Sequence, residues 1–139
     1  MEFSVIVVDD DEVDRYIVQR VIKSFNAEVK VLEYAAGDSF VDTVLDEAKR
    51  EVAFGEMKPP ILVLLDINMP RMNGFEVLST LKDELASLNQ LLIFTMYSSS
   101  SHAEDRNDAM RFEFVSDYIV KPLTLEKLED IVARHVVAG

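Results

Sequence analysis

Ile61-Leu62-Val63-Leu64-Leu65-Asp66-Ile67-Asn68-Met69-Pro70 holds five consecutive apolar residues ending on an acid. A strand with one wet face alternates apolar and polar side chains. A run that is apolar at every position is covered on both faces, as in a parallel sheet flanked by helices. Lys58-Pro59-Pro60 precedes it, and such a pair stops any incoming helix and favours extended backbone. An aspartate ending so apolar a strand needs a partner, because its charge borders a low-dielectric core.

Outward from this strand the same grammar repeats. Val5 to Val8 is a short β-branched run. From Asp11 the period changes: Val13, Ile17, Val21 and Phe25 recur every four residues beside Val18 and Ile22, one face of a helix. Val29 to Tyr34 reads as a second strand. Gly37-Asp38 breaks the chain, and a second helix follows with Phe40, Val41, Val44, Leu45, Ala48 and Val52 on its apolar side. A third helix starts near Gly74 and carries Phe75, Val77, Leu78, Leu81 and Leu85. Leu91 to Phe94 is a fourth strand, and the polar stretch Ser98 to Asp108 holds a loop and a fourth helix. Tyr118 to Val120 is a fifth strand. Leu123 to Val137 is a last helix with Leu125, Leu128, Ile131, Val132 and Val136 inward. Five βα units in a row predict one α/β domain over residues 1–139, a parallel sheet with helices on both faces and right-handed crossovers.

Bulk properties narrow the function. There is no cysteine, which excludes disulfides, thiolate zinc sites and a thiol nucleophile. A net charge of -12 repels phosphate backbones, so direct nucleic-acid binding is not expected, while basic partners and divalent cations are favoured. The apolar run before Asp9 is too short for a signal peptide, and no run approaches the ~20 apolar residues of a membrane span. The expectation is a soluble, cytoplasmic protein without membrane contact.

In open parallel sheets, sites lie beyond the carboxyl ends of the strands. Asp9, Asp10, Asp11 and Glu12 follow the first strand, Asp66 the third, Thr95 the fourth and Lys121-Pro122 the fifth. The second ends in Tyr34-Ala35-Ala36, without chemistry, as expected of a strand at the sheet border. Carboxylates gathered this way repel one another and call for a counter-charge. Mg²⁺ suits one or two carboxylates plus other oxygens. Asp9 or Asp10 with Asp66, and a backbone carbonyl, that of Asn68, offer such a set. Lys121 suits a phosphoryl oxygen as a point charge, and the Thr95 hydroxyl suits another. Together these parts describe phosphoryl transfer onto a carboxylate, with Asp66 as nucleophile.

Val8-Asp9-Asp10-Asp11, Leu64-Leu65-Asp66-Ile67-Asn68-Met69-Pro70 with Met72-Asn73-Gly74, Phe94-Thr95 and Val120-Lys121-Pro122 resemble the receiver domains of two-component response regulators. The likeness spans essentially the whole chain, and four pieces in register are specific where one would be weak. It implies a three-layer doubly wound (βα)5 fold with strand order 2-1-3-4-5, flavodoxin-like or CheY-like. It implies a single-domain response regulator and phosphoprotein, not an enzyme, whose Asp66 accepts a phosphoryl group from a sensor histidine kinase or a histidine phosphotransfer protein. Mg²⁺, or Mn²⁺ in its place, would be held by Asp9, Asp10, Asp66 and the Asn68 carbonyl. Thr95 and Lys121 would assist, and Thr95 with the aromatic Tyr118 would form the switch. Signalling to an unknown downstream protein, and dimerisation, would use the fourth helix, fifth strand and fifth helix.

Three positions depart from the family pattern. Met96 stands where a small residue is usual after the hydroxyl, and obstructs a threonine shift. Tyr97 is expected to shield the acyl phosphate from water and slow its loss. Asn73-Gly74 replaces the common Asp-Gly, with the same turn expected. Asp11 or Glu12 is expected to cap the first helix. His102 and His135 lack an acidic partner at ligand spacing and are expected at the surface. Ser98 to Ser101 is expected to be a polar loop and helix start. The face around Met110, Phe112, Phe114 and Tyr118 is expected to be the partner surface.

The runner-up function is a receiver-like protein-interaction module working without phosphorylation, which Met96 favours. A haloacid-dehalogenase phosphatase would place its nucleophile after the first strand with an acid two residues on; here Asn68 follows Asp66 at that distance, and it cannot donate a carboxyl proton. A flavin-binding flavodoxin would want a Ser/Thr/Gly-rich phosphate loop where four acids stand.

Overall fold

The computed structural model describes residues 2–85, 88 and 92–137. Five parallel strands, β1 (Ser4–Val8), β2 (Val31–Tyr34), β3 (Ile61–Leu65), β4 (Leu92–Ser98) and β5 (Val115–Val120), lie in the order 2-1-3-4-5. The helices are α1 (Glu12–Phe25), α2 (Gly37–Leu45), α3 (Glu47–Phe54), α4 (Gly74–Leu81), α5 (Ala103–Met110) and α6 (Leu125–Ile131), the last continuing as a π-helical turn over Val132–Val137. β1 and β3 are buried at every position. Their side chains divide by parity. Ile6, Val8, Val63, Leu65, Phe94 and Met96 pack with Phe40, Val77, Leu78 and Leu81 on the α2–α4 side. Val5, Val7, Leu62, Leu64, Ile93 and Tyr97 pack with Val18, Ile22, Leu128 and Ile131 on the α1–α6 side. The fold class and strand order match the expectation, and β2 takes the sheet border.

Several boundaries differ from the sequence expectation. β2 starts at Val31, because Asn26 turns the chain: Val29 N–H donates to its carbonyl at 3.2 Å and Glu28 N–H to its side chain at 3.0 Å. The second helix is two helices. Asp46 leaves the helical region and caps α3 by accepting from Lys49 N–H, which resets the apolar phase. Val52 is therefore 88% exposed while Phe54 is buried, and α3 ends four residues before Lys58. Gly37 opens α2 instead of breaking the chain. On α1 the stripe meets the sheet only from Ile17 onward, and Val13 is exposed; Leu45 and Leu125 are exposed too.

β4 extends through Met96 and Tyr97 to Ser98, and β5 begins at Val115 rather than Tyr118. Thr95 is thus an interior strand residue, and Ser98 is a buried strand end rather than loop. Leu91, expected to start this strand, lies outside the described residues. The expected partner face is largely turned inward. Tyr118 is buried, and Phe112 and Phe114 join Phe94 and Phe40 in an edge-to-face series with ring centroids 5.8, 5.5 and 6.4 Å apart. Met110 alone of the four is well exposed.

Candidate phosphoacceptor site

Backbone pairing sets the site. Asp66 N–H donates to Val8 carbonyl at 2.9 Å and Asp9 N–H to Tyr34 carbonyl at 3.0 Å, so both acids stand one step past their strands. Lys121 N–H donates to Ser98 carbonyl at 2.8 Å and brings the lysine to the same edge. Asp11 caps α1 by accepting from Val13 and Asp14 N–H, and its own N–H donates to Asp9 Oδ1 at 2.9 Å. Arg15 donates to the Asp9 carbonyl at 2.8 Å and pairs with Glu33, anchoring the acidic turn.

The loop after Asp66 is held by close contact. Gly74 N–H donates to Ile67 carbonyl at 2.8 Å, and a Cβ on Gly74 would lie 2.4 Å from the Asp66 carbonyl oxygen. The glycine is required by this approach and has no positive φ, so the expected Asn-Gly turn gives way to Asn73 capping α4, reciprocally with Glu76. Arg71 does sit at φ 66, at the centre of a tight turn closed by Met72 N–H on Pro70 carbonyl, and Asp38 holds its guanidinium at 3.0 and 3.2 Å.

Oxygens of Asp9, Asp10 and Asp66 all lie within 4.8 Å of one another, with Asp9 and Asp66 buried and Asp10 exposed. Burial, then the charge of Asp9, pushes the Asp66 carboxyl up to about 6; Lys121 and the Asn68 N–H oppose this. Burial likewise raises Asp9. Two buried acids with raised carboxyls, beside a third, form a hard-oxygen set short of positive charge. This donor chemistry fits a divalent cation of the Mg²⁺ or Mn²⁺ kind.

Lys121 Nζ lies 2.7 Å from Asp9 Oδ2, 2.8 Å from Asp14 Oδ2 and 3.6 Å from Asp66 Oδ2. The contact to Asp14 has hydrogen-bond alignment; that to Asp9 is a close ion pair without it, so Asp9 Oδ2 keeps acceptor capacity. Burial disfavours the ammonium, but the close contacts with Asp14 and Asp9 and the field of Asp66 outweigh it and hold Lys121 above its usual range. Asp14 was not singled out from sequence. Its signal is position: an acid in the first turn of α1, directly after the acidic strand end.

The structure brings Asp9, Asp10, Asp66, Asn68 and Lys121 together. Thr95 it does not. Thr95 pairs with Leu64, two residues below Asp66, and its hydroxyl is buried with no hydrogen-bond partner among the described residues. Ser98 is the hydroxyl residue at the strand end, and its oxygen accepts from Ser100 N–H at 3.1 Å. The apolar run Ile93-Phe94 continuing into Met96-Tyr97 carried this signal in the sequence. Tyr97 is wholly buried; its ring lies 5.3 Å beneath Lys121 Nζ and its hydroxyl accepts from Leu123 N–H at 2.9 Å. Met96 packs in the core. The Tyr118 hydroxyl points inward and donates to Ser100 carbonyl at 2.8 Å, while Ser100 Oγ donates to Asp105 at 2.5 Å.

His102 is exposed, as expected. His135 is not partnerless: tertiary packing sets it 3.1 Å from Asp117, which Arg134 also pairs.

A family model for the response regulator receiver domain matches residues 5–133. Two-component response regulator ARR6 of Arabidopsis thaliana is 30% identical over 127 residues, covering 91% of this chain and 64% of that protein. The chain therefore spans less than two thirds of that relative's length. A two-component response regulator structure from Cytophaga hutchinsonii superposes with a TM-score of 0.80 at 23% identity, over 96% of this chain and 97% of that one. The Mn(2+)-bound form of response regulator Rcp1 gives 0.71 at 20% identity, over 99% and 96%. At these identities the two structures speak to the fold. The sequence match takes in nearly every residue of the sheet and all of its carboxyl edge, and the chain belongs to the response regulator receiver domain family of two-component systems.

Proposed function

We propose that Asp66 is a phosphoacceptor, charged by a phosphohistidine on a sensor histidine kinase or histidine phosphotransfer protein, and that the phosphorylated form acts through another, unknown protein in the cytoplasm. The observation that carries this is the convergence of Asp9, Asp10 and Lys121 on the Asp66 carboxylate. A divalent cation, Mg²⁺ or Mn²⁺, bound by Asp9, Asp10, Asp66 and the Asn68 carbonyl, would supply charge neutralisation for the transferring group; the Mn(2+)-bound relative supports this choice. An Asp66 oxygen attacks phosphorus, the P–N bond to the donor imidazole breaks, and the leaving nitrogen takes a proton. Lys121 stabilises the phosphoryl oxygens. Asp66 needs no base, because its carboxyl, raised only to about 6, is mostly ionised at neutral pH.

The geometry of β4 favours Ser98 over Thr95 as the hydroxyl that follows the phosphoryl group, because Ser98 adjoins Lys121. The residue after it is then Ser99, small, and Met96 loses its force as an obstruction. Tyr118 serves as the switch aromatic through Ser100. The exposed flank of α5, β5 and α6, including Met110 and Leu125, is the surface through which a partner or a second copy reads the state.

The test is incubation with acetyl phosphate and Mg²⁺, read by intact mass beside Asp66→Asn. The expected result is one added phosphoryl group, Mg²⁺-dependent and absent from the variant. No addition, together with no binding of beryllofluoride, would overturn the proposal.

A further inference from the structure

Lys121 is the one cation at the acceptor among the described residues, and it is shared unevenly. Its aligned hydrogen bond goes to Asp14 at 2.8 Å, and its contact with Asp66 is longer, at 3.6 Å. Asp14 belongs to α1, outside the Asp9–Asp10–Asp66 group. Tyr97 closes the lysine from beneath, and its hydroxyl fixes the following loop at Leu123. The ammonium is thus seated between Asp9 at the end of β1, at 2.7 Å, Asp14 of α1 and Tyr97 of β4, closer to the two acids than to Asp66.

We infer that Asp14 is a positioning residue that holds Lys121 in a resting seat and so restrains phosphorylation of Asp66. The inference rests on the phosphoacceptor function proposed above. A phosphoryl group arriving at Asp66 competes with Asp14 for the same ammonium. It also meets the charge of Asp14 in addition to those of Asp9, Asp10 and Asp66 itself. Removing that charge without changing shape frees Lys121 toward Asp66 and lowers the repulsion of an anionic donor. A partly exposed unit charge within several ångströms supports a rate change of about five- to tenfold. Tyr97 and Asp9 remain to keep Lys121 at the site, so release is not loss.

The experiment compares wild type, Asp14→Asn and Asp14→Glu, matched for thermal midpoint, in three measurements. Phosphorylation by acetyl phosphate, in which the P–O bond to acetate breaks as the bond to Asp66 forms, is followed by intact mass. Beryllofluoride affinity is titrated. The Lys121 Nζ resonance is observed by nitrogen-15 NMR, where an ammonium held in an ion pair exchanges its protons slowly. Asp14→Asn is expected to accept phosphate about five- to tenfold faster, bind beryllofluoride more tightly and show a shifted Nζ resonance as the ammonium changes partner, with Asp14→Glu restoring wild-type behaviour. Asp14→Asn labelling at the wild-type rate or slower, with the fold intact, overturns the inference while leaving the phosphoacceptor standing. Wild type that takes no phosphoryl group overturns both.

Discussion

Asp66 and Asp117 are both buried against this sheet, and their surroundings push them in opposite directions. Asp66, after β3, faces Asp9 and Asp10, and burial and like charge raise its carboxyl to about 6. Asp117, within β5, is as well buried, at 6% exposure against 5%. Burial would raise it too, but the Tyr118 N–H at 2.8 Å, His135 and Arg134 outweigh that and hold it below the usual carboxylate range. The π-helical turn after α6 sets Arg134 and His135 side by side on the one carboxylate. Asp117 is satisfied by protein alone. Asp66 is left in electrostatic debt, and such a group is completed by something that binds. The contrast separates an acid paired with Arg134 and His135 from one that faces two other carboxylates.

The largest effect that tests this contrast is on phosphorylation. Asp66→Asn is expected to abolish labelling by acetyl phosphate, a loss of about 1,000-fold or more, since an amide is no nucleophile here. Asp117→Asn is expected to leave the labelling rate within about twofold under conditions where the protein is folded. Comparable losses in both, by intact mass, would erase the distinction.

Stability should move with opposite signs. Asp117→Asn strips Arg134 and His135 of their counter-charge and is expected to cost about 2–3 kcal/mol, the range for breaking a charged hydrogen-bonded group. Without divalent metal, Asp66→Asn is expected to gain about 1 kcal/mol by relieving repulsion. Saturating Mg²⁺ should then stabilise wild type by about 2–3 kcal/mol at a hundred times its Kd and leave Asp66→Asn nearly unchanged. Urea melts with and without EDTA measure all three, and a destabilised Asp66→Asn would contradict the raised carboxyl.

A smaller effect bears on the two hydroxyls of β4. Ser98→Ala is expected to slow labelling by about tenfold, at the low end for losing one donor to a charged transition state. Thr95→Val is expected to leave the rate alone and to stabilise by about 1 kcal/mol, because it removes a buried hydroxyl without a partner among the described residues. The reverse pattern would return the role to Thr95.

That pair also shows what the sequence could and could not carry. The parallel βα alternation, the two-sided burial of β3 and the positions of Asp9, Asp66 and Lys121 at strand ends follow from local runs and a strict βα rhythm, while the strand order was legible only through the family resemblance. The end of β4 was not. Thr95 is a good strand former, so it marks no boundary; the apolar Met96-Tyr97 beyond it hints at a longer strand, and pairing against β5 shows it continuing to Ser98. Asp14 and the Asp117–Arg134–His135 group were hidden for another reason. Asp14 and Lys121 are 107 positions apart, and Asp117 and His135 are 18 apart. Neither pair has a periodicity to betray it. The split between α2 and α3 was hidden because Asp46 reads as an ordinary polar position until it caps.

The last expected effect is the pH dependence, and its sign differs between the two acids. Asp66, raised from 3.8 to about 6, binds its proton more tightly when folded. Its contribution to stability is fully present below the unfolded value of 3.8 and is lost as pH rises through about 6. Asp117, held below 3.8, contributes above that value and loses its contribution as pH falls through its folded pKa. In EDTA, wild type should therefore lose about 1–2 kcal/mol relative to Asp66→Asn between pH 4 and pH 7, with the two curves parallel below pH 4. Asp9 shares this titration, so the midpoint belongs to the pair rather than to Asp66 alone. Mg²⁺ should flatten the difference, because a bound cation favours the ionised carboxylates at every pH in the range. Curves that run parallel from pH 4 to pH 7 without metal would mean that Asp66 ionises as freely as a surface acid. The two aspartates would then differ in their partners but not in the electrostatic cost of their place.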